Sequence, residues 1–316
     1  MLAALLHPVG RLDWTSWSIH WSTVIGIAAL AALYGWAWRR AGRLAGGGTR
    51  EAGHETRNVL RVTTEGVDSS SAEPLAPEGW PRPPSRVPRP ALFASGLVVL
   101  FASLNGPLHD LSDEYLFSAH MVQHLLLTML VPPLLIAGTP AELLRPALRV
   151  KGVLAIAQRL TTAPTTFVIF SLTLTAWHLP PLYNLAMAHH PVHIVQHICF
   201  LVASTLMWWP LLSLLTELPR LSYPKQVLYT VLLTLPMTVI SIFITYAEQI
   251  LYPAYQSAPR IWGLSPLEDQ RLGGLIMWIP GGLIFIGVLT VIFFRWAAAS
   301  REDTALTIAP GEPAKG

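Results

Sequence analysis

Along this chain, long runs with almost no charge alternate with short polar breaks. Several of the runs reach about the 20 residues an α-helix needs to cross roughly 30 Å of hydrocarbon. The pattern predicts spans near Ile19–Trp38, Ala91–Leu108, Leu116–Ala137, Thr162–Leu179, Val192–Leu215, Val227–Ala247 and Leu272–Trp296. The expected fold class is all-α, a polytopic integral membrane helical bundle of about seven transmembrane helices. Pro164 suits a helix start, and Pro132, Pro133, Pro210, Pro236 and Pro280 fall where neighbouring helices can satisfy the freed backbone.

Composition supports this reading. Hydrophobic residues make up 52% of the 316 and charged residues 12%, more apolar surface than a soluble fold can hide. A net charge of +3 raises the question of nucleic-acid binding. The basic residues lie between the spans, as topology signals do, so no nucleic-acid partner is expected and membrane lipid is. All but three of the 21 Lys and Arg fall on one side of the membrane, the exceptions being Arg11, Arg260 and Arg271. That bias places the N-terminus outside and the C-terminus in the cytoplasm. The N-terminus lacks the features of a cleavable signal peptide, so the first span is expected to stay.

The chain divides into residues 1–45 with the first span, a disordered cytoplasmic loop at 46–89, a six-helix membrane core at 90–297 and a disordered tail at 298–316. One cysteine, Cys199, excludes an internal disulfide and any Cys-pair metal or redox site. Metal chemistry has to rest on His, Met or carboxylates.

The histidines supply the candidate. Nine of the eleven fall within or beside the outer leaflet, with His7 outside and His54 cytoplasmic, and two pairs share a pattern: His120-Met121-Val122-Gln123-His124 and His193-Ile194-Val195-Gln196-His197. Residues at i and i+4 project from one helix face, so each pair offers two imidazoles to one ion or to two stacked sites. Neutral imidazole suits copper, zinc and iron, and Met121 or Met187 adds a softness that favours Cu(I). A lone intramembrane His is often a packing hydrogen bonder, but polar groups in spans are costly and mark function. His178, beside Trp177 at a span end, is either a further ligand or an interfacial anchor. His189 and His190 read as solvated loop residues, and His20 and His109 as outside the ligand set. Of the acidic residues Asp110, Asp113, Glu114, Glu248, Glu268 and Asp269, the last is the best candidate for a cation-collecting mouth.

Three segments carry a family resemblance: HMVQHLLLTMLVPPLLIAGTP from His120, WHLPPLYNLAMAHHPVHIVQHICFLVASTLMWWPLL from Trp177, and DQRLGGLIMWIPGG from Asp269. They resemble the seven-helix CtaG family of caa-type cytochrome c oxidase assembly factors, as distinct from the single-span copper chaperone that shares the name. The resemblance implies a non-enzymatic protein of the bacterial inner membrane that helps copper reach the catalytic subunit of a haem–copper oxidase. An extracytoplasmic copper donor is an implied partner. The matching positions are His120, Gln123, His124, Trp177, His178, His193, Gln196, His197, Asp269 and Gln270. Two other readings stay open on the residues themselves. One is a b-type haem protein, because imidazoles on two facing spans also suit bis-histidine ligation. The other is a metal transporter built on a repeated unit.

Overall fold

The computed structural model describes residues 18–59 and 88–308, with side chains over 18–41 and 88–301. Among the described residues every regular element is helical. In chain order these are α1 (Trp21–Val59), α2 (Arg89–Leu104), α3 (Pro107–Tyr115), α4 (Phe117–Gly138), α5 (Ala141–Leu148), α6 (Val153–Leu160), α7 (Ala163–His178), α8 (Pro180–Ala188), α9 (His190–Leu212), α10 (Tyr223–Thr245) and α11 (Pro266–Ile308).

Five of these helices (α1, α4, α9, α10 and α11) are long and apolar enough to cross a membrane singly. The expected seven are reached only if two bent pairs each count as a span: α2 with α3, bent by 42°, and α6 with α7, bent by 70°. The second predicted span is thus broken. Gly106 takes a left-handed φ of 70° and Pro107 follows, so the helix cannot run through. The fourth is short: α7 has 16 residues, about 24 Å of helix.

Helix α1 runs on to Val59, into the segment expected to be a disordered loop. Beyond Gly48 the helix includes Arg50, Glu51, Ala52, Glu55 and Arg57, residues of good helix propensity. Helix α11 likewise runs on to Ile308. The expectations for residues 1–17, 60–87 and 309–316 lie outside the described residues.

Helix α11 packs along α10 and the first half of α4, while α9 packs on α7 and the second half of α4, against which α2 also lies. Helix α1 is peripheral, attached by Tyr34, which stacks on Phe93 and donates to the Gly138 carbonyl at 2.9 Å. The central core includes Phe170, Met207, Leu233, Met237 and Phe285. Large apolar residues such as Leu172, Val202, Val239 and Phe294 face outward and are exposed. A surface of that kind belongs in lipid, and the chain is a multi-pass membrane protein.

Helix α4 changes register part-way, through a π turn at Leu126–Leu130. The Thr128 carbonyl would be satisfied by the amide four or five residues on, but both positions, Pro132 and Pro133, lack an N–H. The Trp208 indole of α9 supplies the missing donor at 2.9 Å. This substitution of partners ties α4 to α9 just below His124.

Candidate metal centre

The start of α4, the end of α7 and the start of α9 meet at one end of the bundle, and each brings histidine there. His120 and His124 stand one turn apart on α4, with their Nε2 atoms 2.8 Å apart. From α9, the His193 ring lies 5.3 Å from that of His120, and the His197 ring lies 6.1 Å from His120 and 5.8 Å from His124. His178 closes the group from α7, its ring 5.6 Å from that of His124. The five candidate imidazoles therefore form a single cluster, with His120, His124, His178 and His193 all buried.

Several outward nitrogens are tied off. His178 Nδ1 lies 2.7 Å from the Leu174 carbonyl, so it carries the proton and leaves Nε2 bare. His193 Nδ1 lies 3.3 Å from Asp113 Oδ2. His120 Nδ1 lies 3.1 Å from the Tyr255 hydroxyl. Tyr255 donates its own proton to the Ser112 carbonyl at 2.7 Å, so its oxygen accepts from His120 Nδ1. Burial pushes the Tyr255 phenol well above its ordinary value, which keeps that donor protonated. Tyr183 completes the network, 2.9 Å from the Tyr255 oxygen.

Of the remaining nitrogens, His120 Nε2 and His124 Nε2 bond each other, and four others lack partners among the described residues. His124 Nδ1, His178 Nε2, His193 Nε2 and His197 Nε2 are buried without a hydrogen bond among the described residues. Each buried, unsatisfied polar atom costs roughly 1–3 kcal/mol, and four together in an apolar bundle need compensation. A bound cation would provide it. Imidazoles held at one nitrogen by a carboxylate, carbonyl or hydroxyl, with the other nitrogen bare, are prepared as metal ligands.

The helices are set in place by residues of the same sequence motifs. Asp269, wholly buried at the start of α11, accepts from the Phe117 amide at 2.7 Å and the Ser118 amide at 3.1 Å, and also from the Ser118 hydroxyl. It caps the helix that carries His120 and His124 and does not line a mouth, which corrects the expectation of a cation-collecting carboxylate there. Gln270 accepts from the Leu251 amide at 2.7 Å and holds the loop bearing Tyr255. A Cβ on Gly273 would lie 2.4 Å from Phe117, so only glycine lets α11 come this close to α4.

The two HxVQH glutamines differ. Gln123 donates to the Ser103 carbonyl at 2.7 Å and reaches His109 Nδ1 at 3.2 Å, binding α4 to α2 and α3. Gln196 is fully buried, and neither of its amide atoms has a partner among the described residues. Met121 is buried towards α11, against Gly273, and Met187 Sδ lies 3.9 Å from the Tyr255 hydroxyl.

Two further residues join that the HxVQH pattern does not single out. Asp113 Oδ2 contacts both His193 Nδ1 and, at 3.5 Å, the Nε2 of buried His109. The i, i+4 spacing of His109 and Asp113, the same as in the HxxxH pairs, is the signal the sequence carries for them. His20 sits with its ring 4.2 Å from that of His109.

Residues 75–299, well over half of the chain, match the family described as cytochrome c oxidase caa3 assembly factor (Caa3_CtaG). The chain belongs to that family. Among curated proteins, the CtaG-family chain is 30% identical over 210 residues to uncharacterized proteins of Mycobacterium bovis and Mycobacterium tuberculosis. It is 26% identical over 210 residues to one of Mycobacterium leprae. Each alignment covers 60% of this chain and 32% of the relative, so the chain spans about a third of the length of the curated relatives it matches. No solved structure matches it.

Proposed function

We propose that this CtaG-family chain is a non-catalytic assembly factor of the bacterial inner membrane that holds a copper ion and assists its delivery to the catalytic subunit of a haem–copper oxidase. The observation that carries the reading is the set of bare, buried imidazole nitrogens on His124, His178, His193 and His197, whose rings cluster with that of His120. Imidazole suits copper, and an all-nitrogen set can hold an ion and still release it to a partner. Copper is the cargo here. The basic residues concentrate towards the opposite end of the bundle, so the positive-inside rule turns the cluster outward, where an extracytoplasmic donor can reach it.

The haem b alternative finds less support. Neighbouring imidazole rings lie 4.3–6.1 Å apart and Phe200 packs 4.6 Å from His124, so side chains fill the slot a macrocycle needs.

The test is to purify the full chain with copper and count the metal, then replace His120, His124, His193 and His197 by alanine. Loss of copper from the variant, together with loss of oxidase activity in cells that depend on it, is expected. Equal copper and equal oxidase activity in the variant defeats the proposal, and a stoichiometric Soret band in the wild-type spectrum replaces it with haem.

A further inference from the structure

The cluster contains two groups of ligand atoms that share one residue. Ligand atoms of His120, His124 and His197 lie within 4.8 Å of one another, and so do those of Asp113, His120 and His193. The second group is nearer solvent: the Asp113 side chain is 17% exposed, whereas His124, which belongs to the first group alone, is buried. Beyond Asp113 stand His109 and His20, and His190, on the surface at the start of α9, has its ring 5.6 Å from that of His20. Imidazoles thus step from the surface to the buried end of the cluster.

The two groups differ chemically. Asp113 gives the upper one a hard, charged oxygen, able to take a cation that still carries part of its hydration shell. The lower one is all imidazole, a softer set that suits copper better than a carboxylate does. A bare ion between them would face an apolar bundle, but His120 belongs to both groups, so ligands can be exchanged around it one at a time.

We infer that the cluster is a two-station site, in which Asp113, His193 and His120 take up the ion at the mouth and His120, His124 and His197 retain it below. This rests on the copper-binding reading above. The ion remains Cu(I) throughout, and only one station is filled at a time because His120 cannot serve both. Asp113 governs loading, and His124 with His197 governs retention.

The test uses the full chain in lipid nanodiscs under anaerobic conditions, with Cu(I) presented as its bicinchoninate complex. Stopped-flow loss of the complex's colour gives the loading rate, and equilibrium competition gives the affinity. The wild type is expected to take one ion. Asp113→Asn should slow loading by about tenfold or more and lower the affinity by less than His197→Ala does, with helix content unchanged by circular dichroism. His197→Ala should load at the wild-type rate and hold the ion about tenfold or more weakly. Asp113→Asn loading as fast as wild type, or His197→Ala binding no ion, overturns the two stations and leaves copper binding intact. An Asp113→Asn chain that binds nothing while Asp113→Glu binds as wild type means one merged site, and likewise overturns the two stations. A wild type that takes no Cu(I) removes both proposals.

Discussion

Asp269 on α11 holds the Phe117 amide on α4 at 2.7 Å, across 152 residues of sequence. This hydrogen bond fixes the end of the helix one turn before His120, so the acidic residue of the DQ motif acts on the cluster through backbone. Asp269→Ala should therefore weaken copper binding by roughly 10–100-fold without removing a ligand. Asp269→Asn, which keeps one acceptor oxygen, should lose less. Equilibrium Cu(I) competition on both variants checks the order, and equal affinity in all three proteins contradicts it.

Tyr255 offers a cleaner probe, because one oxygen atom is removed and the ring stays. Tyr255→Phe leaves His120 Nδ1 without its acceptor and frees the ring to change tautomer. Copper affinity should fall by about 10-fold or more while helix content stays the same. Circular dichroism and metal competition on one preparation decide the matter, and unchanged affinity rules out this positioning role.

Gly273 sets the spacing of α4 and α11. Gly273→Ala places a Cβ 2.4 Å from the Phe117 ring, so the helices must part or the ring must turn. A cost of about 1–3 kcal/mol is expected, seen as a lower thermal midpoint in detergent. A midpoint at or above that of the wild type would show that the contact relaxes freely.

The Trp208 hydrogen bond can be tested as a coupled pair. Trp208→Phe should destabilise the chain by roughly 1–3 kcal/mol, since the Thr128 carbonyl then has no donor. Pro132→Ala returns a backbone amide four residues on, so the double variant should lose less than Trp208→Phe alone. Thermal unfolding of the four proteins gives the coupling, and strictly additive losses would refute it.

Hydropathy makes the long helices legible, because α9, α10 and α11 need only uninterrupted apolar sequence of sufficient length. It reads Ala91–Leu108 as one straight span, although Gly106-Pro107 breaks the helix just before that span's end. The HxxxH pairs are legible for a local reason, since i and i+4 share a helix face whatever the tertiary fold. His178 can be placed from sequence only at a span end, and its contact with His124 depends on how α7 packs on α9. The i, i+4 spacing of His109 and Asp113 is visible in the sequence, but the contact of Asp113 with His193 is not, because it is made by a turn of chain packing over another helix. The role of Asp269 is hidden for a similar reason: a carboxylate at a helix start looks the same in sequence whether it faces water or caps a neighbour.

X-ray absorption at the copper edge of the loaded wild-type chain tests the central claim most directly. The expected spectrum is Cu(I) with nitrogen or oxygen ligands at roughly 2 Å, strong imidazole multiple scattering and no sulfur shell near about 2.3 Å. A sulfur-dominated shell, or copper without imidazole scattering, would contradict the assignment of the ion to the cluster of His120, His124, His178, His193 and His197.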